Sequence, residues 1–135
     1  MYRSKKEIAF AGEVEQEFGF LETNPSQLTG TPDIYFADCK LAVFYHGCFW
    51  HSHHCKDRAL SEDWHRKLLD IRNNDANVAE MLAREDIASL VVWECNWDRD
   101  KIREMRRIYD YRNLLLNYGA KLRKRVSNSS SAIVE

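Results

Sequence analysis

The sequence predicts an α/β domain, a mixed central β-sheet flanked by helices. Three observations carry this. Leu41–Tyr45 and Ile87–Trp93 are continuous apolar runs of the kind found in buried central strands. Three stretches, at 4–18, 61–84 and 98–118, instead show the apolar spacing of helices. The elements follow in the order α-β-β-α-β-α within 135 residues, which suits one domain with its own core.

Each element has a local reason. Ser4-Lys5-Lys6-Glu7 is a capping box, and Ile8, Ala11, Val14 and Phe18 follow at helical spacing until Gly19. Asn24-Pro25-Ser26 and Thr29-Gly30-Thr31-Pro32 make 22–32 a loop. Asp33–Ala37 and Leu41–Tyr45 form a hairpin across Asp38-Cys39-Lys40. Residues 61–84 carry Trp64, Leu68, Ile71, Val78, Met81 and Leu82 at helical spacing, with Ser61 placed to cap the helix. After Ile87–Trp93 a long helix from Asp98 to Tyr118 presents Ile102, Met105, Tyr109 and Leu116 on one face, with Gly119 past its end. We read residues 1–125 as the domain and 126–135, rich in serine, as a disordered tail.

Composition excludes several classes. Apolar residues make up 44% and aromatic ones 12%, as in globular chains. No stretch reaches the roughly 18 apolar residues of a membrane span, and the basic start is not followed by a signal-peptide core. The expectation is an intracellular, cytoplasmic protein without a membrane partner. The net charge of −1 conceals an asymmetry: residues 1–98 hold 10 basic against 17 acidic side chains, and residues 99–125 hold 10 against 3. The basic segment is a candidate phosphate-contacting surface, or else a solvated helix face.

Four of the five histidines and two of the four cysteines fall within His46–Cys55. Without a secretory signal, cysteines so placed indicate metal more than disulfides. Cys48, His53 and Cys55, joined by Cys95 at the end of the last strand, form a set suited to a closed, structural Zn²⁺ site, because zinc takes deprotonated sulfur and imidazole ligands. Cys39 stands apart in a turn, and His54 has no assigned role.

Glu7, Asp33, His46, His51 and Asp75 remain. Proline directs Asp33 outward at a strand start, and carboxylate oxygens suit Mg²⁺, which stabilises charge on a reacting phosphodiester. An imidazole of near-neutral pKa can take a proton from attacking water. Taken singly, Glu7 would be a capping residue, Asp33 a turn carboxylate and Asp75 a solvated helix residue. Together they suggest metal-assisted hydrolysis.

At this point the sequence resembles a known family. Thr31-Pro32-Asp33, Val43–His51 with its His-Gly-Cys-Phe-Trp-His run, His53, Cys55 and Val91-Val92-Trp93-Glu94-Cys95 look like the very-short-patch-repair (Vsr) endonucleases, part of the PD-(D/E)XK, restriction-endonuclease-like superfamily. The resemblance covers about residues 4–97. It implies that Asp33 and the Tyr45 carbonyl bind Mg²⁺, and that Glu7 contacts water on that ion. It implies that His51 is the general base, oriented by Asp75, with His46 a second active-site histidine. Cys48, His53, Cys55 and Cys95 match the zinc ligands. Phe49, Trp50 and Trp64 fall where the family wedges aromatic rings into the base stack, for which ordinary core packing is the alternative.

The chain also departs from the pattern. Only six residues precede Glu7, Ser52 replaces a common histidine, and Ile71 stands where asparagine is usual. With the basic 99–125 segment, these departures lean toward the family's site-specific homing endonucleases, in a bacterial or phage-infected cell. The expectation is a Mg²⁺-dependent endonuclease acting on double-stranded DNA, as monomer or dimer. A T·G-mismatch nicking enzyme and a non-catalytic, zinc-stabilised DNA-binding module are the alternatives.

Overall fold

A computed structural model of the chain describes residues 4–48, 62–127 and 133–134, with side chains to residue 119. Helix α1, Lys5–Phe18, opens as the capping box requires: Ser4 Oγ accepts the Glu7 N–H at 3.1 Å. Gly19 closes it at φ 84°, and its N–H bonds the Glu15 carbonyl. The hairpin forms from β2, Ile34–Phe36, and β3, Leu41–His46, with Ile34 opposite Val43. Helix α2, Glu62–Arg84, then crosses to β4, Ala88–Trp93, which runs parallel to β3 with Tyr45 opposite Val92.

The two faces of β3 decide the layers. Leu41, Val43 and Tyr45 join Phe10, Ala11 and Val14 of α1, Ile34, Phe36, Leu90, Val92, Trp97, Ile108 and Leu115 in the main core. Ala42 and Phe44, pointing the other way, pack with Tyr35, Val78, Leu82 and Ile87 on the α2 side. The sheet therefore lies between α2 and the remaining helices. Among the described residues no helix is long and apolar enough to cross a membrane.

Several expectations are corrected. The loop at 22–32 contains a two-residue edge strand, β1, Glu22–Thr23, antiparallel to β2. Both residues are exposed, so no apolar alternation marks them. The long helix is preceded by a separate turn, α3, Glu94–Arg99. It ends at Asp100, whose carboxylate accepts the Arg103 N–H and starts α4, Lys101–Ser127. The first helical run of α4 does end where expected, at non-helical Tyr118 (φ −133°), but a second run follows directly and carries on to Ser127. The buried face is also rotated. Ile108 and Leu115 are in the core, whereas Ile102, Tyr109 and Leu116 are exposed, because apolar residues cover too much of this helix for spacing alone to select a face. On α1, Phe10 is buried and Ile8 exposed, and on α2, Met81 is exposed. Within the segment read as a tail, Ile133–Val134 forms β5, parallel to Ser89 and Leu90 of β4.

Candidate active site

The loop ahead of β2 holds Asp33 by strained geometry. Thr31, a β-branched residue directly before Pro32, adopts φ 45°, an arrangement that costs about 1–3 kcal/mol and must be held by its surroundings. The Thr31 N–H bonds the Leu28 carbonyl at 3.0 Å, and the Asp33 N–H bonds Val43 at 3.0 Å. Asp33 is buried, and its Oδ2 accepts the Tyr45 N–H at 2.7 Å. That bond has a simple origin. Val43 and, two residues on, Tyr45 turn their backbone groups toward β2, Val43 accepting the Asp33 N–H, and the paired register ends at Ile34 opposite Val43. The Asp33 carboxylate therefore takes over where the ladder ends. By the same alternation the Tyr45 carbonyl faces this edge, giving two oxygen donors on one side of the strand end. An all-oxygen pair of this kind fits Mg²⁺.

His46, the last residue of β3, is buried on the α2 side between Phe44, at 5.9 Å, and Trp93, at 5.3 Å edge-on. Its Nδ1 lies 3.9 Å from Oδ2 of Asp75 on α2. This is ion-pair range, longer than a direct hydrogen bond. Asp75 thus has His46 as a described neighbour. The histidine it was expected to orient, His51, lies outside the described residues.

The parallel pairing of β3 and β4 carries both chains to the same edge, where Cys48 and Cys95 meet. The Cys95 N–H donates to Cys48 Sγ at 3.4 Å. Such a bond favours a sulfur carrying negative charge, and two thiols converging at one edge fit half of a tetrahedral zinc site. His53 and Cys55 lie outside the described residues, and among the described residues no group of three or more metal-binding side chains gathers.

Glu94 joins this edge to α1, and the sequence reading assigned it no role. Its Oε1 accepts the Cys48 N–H at 3.3 Å, and its Oε2 is paired with Lys6, which also lies 3.7 Å from Asp98. Bonding to Glu94 holds the Lys6 ammonium above the ordinary lysine range. Burial pushes the Tyr45 hydroxyl well above the usual tyrosine range, and the nearby Glu94 and Asp98 carboxylates add to it. The available signal was the position of Glu94, between a strand end and a predicted metal ligand.

The remaining candidates are placed as follows. Glu7 is half-buried in the first turn of α1, three residues from Phe10, whose ring lies 5.1 Å from that of Tyr45. Trp64 is half-buried outside both hydrophobic clusters, with the Lys67 ammonium 5.0 Å from its ring centre. Phe49 and Trp50 lie outside the described residues. On α4, several basic side chains already have acidic neighbours: Lys101 with Glu13 at 2.9 Å, Arg106 with Asp110 at 3.4 Å, Arg107 with Glu104 at 2.5 Å, and Arg112 with Asp38. Part of the charge asymmetry is therefore spent on holding the helix to the domain.

Part of the chain is similar to known proteins. Residues 18–57 match the family model described as DNA mismatch endonuclease Vsr. A type II nicking enzyme of Xanthomonas oryzae pv. oryzae is 40% identical over 72 residues, covering 50% of this chain and 53% of that protein. A type II nicking enzyme of Neisseria meningitidis is 32% identical over 76 residues, covering 53% and 54%. The DNA mismatch endonuclease Vsr of Escherichia coli K12 is 32% identical over 74 residues, covering 52% and 47%. The chain spans about half the length of the curated relatives it matches. The matched family segment includes Asp33, Tyr45, His46 and Cys48 and runs on through His51, His53 and Cys55. The resemblance to Vsr endonucleases drawn from the motifs is borne out.

Proposed function

We propose that the chain is a Vsr-type endonuclease that hydrolyses a phosphodiester bond of duplex DNA, with Mg²⁺ as catalytic ion and Zn²⁺ as scaffold. The observation that carries this reading is Asp33 held at the end of β3 by the Tyr45 N–H, with buried His46 the next residue of the strand and Asp75 3.9 Å from its ring. The segment is similar to enzymes named for nicking DNA and for acting at DNA mismatches.

Asp33 and the Tyr45 carbonyl would hold Mg²⁺, and Glu7 would bind water on it. When bound, the ion supplies charge stabilisation at the phosphate and at the departing 3′ oxygen. The fold contributes rigidity, since the 2.7 Å bond fixes one Asp33 oxygen before substrate arrives. His51 is proposed to deprotonate the attacking water. His46 suits a proton-handling role in support: its neighbour Asp75 stabilises the imidazolium that forms when the ring gains a proton. Cys48, His53, Cys55 and Cys95 would bind Zn²⁺ and anchor the segment that bears His51. Phe49, Trp50 and Trp64 are proposed to face the DNA.

The ion pairs along α4 weaken the argument from 99–125 to a homing-type enzyme, and the names of the relatives favour nicking. We place nicking first. The test incubates the purified chain with MgCl₂ on three substrates: a T·G-mismatched duplex, its matched counterpart and long genomic DNA. Preferential nicking of the mismatched duplex supports mismatch nicking. Double-strand cuts at a few genomic positions identify a homing-type enzyme. Binding without cleavage of any substrate identifies a DNA-binding module and overturns the endonuclease reading.

A further inference from the structure

Glu94 makes two contacts that no catalytic assignment uses. One carboxylate oxygen accepts the Cys48 N–H at 3.3 Å, immediately after β3, and the other pairs with Lys6 on the first turn of α1. Its chain neighbour is Cys95, whose own N–H bonds Cys48 Sγ, while Lys6 is the chain neighbour of Glu7. About a quarter of the Glu94 side chain and more than half of that of Lys6 are exposed, so the bond to the Cys48 N–H is the less screened of the two contacts. Elsewhere α1 is held by apolar packing of Phe10, Ala11 and Val14 and, further from its first turn, by the exposed Glu13–Lys101 ion pair. Such packing resists separation, but it fixes neither rotation nor sliding of the first turn along the sheet. A two-armed carboxylate does, because hydrogen bonds are directional.

We propose that Glu94 is a positioning residue that couples the Cys48–Cys95 edge to the first turn of α1, setting Glu7 against Asp33 and the Tyr45 carbonyl. The role rests on the endonuclease reading for its effect on turnover, though not for its geometry. Metal-ligand chemistry at Cys48 and Cys95 and carboxylate chemistry at Asp33 and Glu7 then form one unit. A displacement of α1 would lower turnover while leaving DNA affinity in place, since misplacement by about 1 Å costs on the order of 10²-fold in rate.

The test compares Glu94→Gln, Glu94→Ala and Lys6→Ala in the full chain purified with its metal. Nicking of duplex DNA gives kcat and KM, and amide hydrogen exchange at Cys48 gives the geometry. Glu94→Gln retains an acceptor for the Cys48 N–H and loses the charge pair. The expected results are a fall in kcat of roughly 10-fold or more, KM within about 2-fold, and Cys48 protection kept. Lys6→Ala should match it, and combining Lys6→Ala with Glu94→Gln should add nothing further. Glu94→Ala should lose Cys48 protection as well. Unchanged kcat in Glu94→Gln, or Lys6 and Glu94 effects that simply multiply, would overturn the proposal. If Glu94→Ala does not fold, the Gln variant and the cycle decide. If the wild-type chain leaves DNA intact, the endonuclease reading fails by itself. Cys48 exchange then decides the geometry: protection equal in the wild type and a folded Glu94→Ala chain overturns it, and protection lost supports it.

Discussion

Replacing Gly30 by alanine tests how the Asp33 loop is seated. Gly30 has φ 77°, and a Cβ built there would lie 2.3 Å from Val78 Cγ1, 3.3 Å from Val78 Cγ2 and 3.4 Å from Phe44 Cε1. Val78 is β-branched and helical, so its χ1 is confined largely to one rotamer and the methyl cannot swing aside. Two costs combine. An L-residue in the left-handed region costs about 1–2 kcal/mol, and overpacking costs about 1–3 kcal/mol. The expected loss is therefore roughly 2–5 kcal/mol, a large share of the ~5–15 kcal/mol by which domains are stable. The site should suffer as well. Val78 lies one turn beyond Asp75, and Phe44 packs beside His46, so pushing the loop outward moves Asp33 away from both. Urea unfolding followed by tryptophan fluorescence measures the first effect, and nicking of duplex DNA the second. Val78→Ala makes room for the new methyl without relieving φ. The double variant should therefore be destabilised by about 1–3 kcal/mol less than the sum of the two single losses. A Gly30→Ala chain within ~0.5 kcal/mol of wild type, or additive single changes, would refute the close approach of this loop to α2.

Three further outcomes are expected. Asp33→Asn keeps an oxygen for the Tyr45 N–H and should fold normally while losing ~10²-fold or more in cleavage; Asp33→Ala should also lose about 1–3 kcal/mol of stability by orphaning that buried N–H, and full cleavage by the Asn variant contradicts the assignment. In Cys95→Ser, zinc measured by atomic emission should fall below one per chain and the thermal midpoint should drop, whereas unchanged zinc content removes Cys95 from the site. Stability should decline above pH 10. Tyr45 has a folded pKa raised above its ordinary 10.0, so it remains protonated in the fold where the unfolded chain has already lost the proton. Its stabilising contribution is complete below that value and is lost as pH rises through the folded pKa, at up to about 1.4 kcal/mol per pH unit. Raised Lys6 acts with the same sign, because its paired ammonium is lost only at high pH. Urea midpoints at pH 9 and pH 11 check this, and a Tyr45→Phe chain should show a shallower decline; an equal slope in both would refute it.

Much of the architecture was legible in sequence because it is locally encoded. Ser4 and Glu7 specify the start of α1, Pro32 and the turn at 38–40 delimit the hairpin, and the unbroken apolar runs mark β3 and β4. The motif residues Asp33, His46, Cys48 and Cys95 were legible as chemistry, since carboxylate, imidazole and thiol have few uses when crowded together. Other features have no local signature. Strand β1 exists only through its pairing with β2, and β5 only through β4. The buried face of α4 was chosen by what the sheet offered it: Glu104 could turn inward because Arg107 pairs with it at 2.5 Å, and Ile102 was left outside. The Tyr45 N–H is satisfied by Asp33 because the paired register of the hairpin stops at Ile34 opposite Val43.

By itself, then, the sequence determined which residues could do chemistry and which stretches would be helix or strand, because propensity, capping and periodicity act over a few residues. Tertiary structure alone decided how those groups are joined. Parallel pairing of β3 with β4 brought Cys48 to Cys95 across 47 positions, the α2 crossover set Asp75 beside His46, and Glu94 reached back 88 positions to Lys6. These contacts depend on the geometry of a closed core, which residues so far apart in the chain share only once the sheet and its helices have packed.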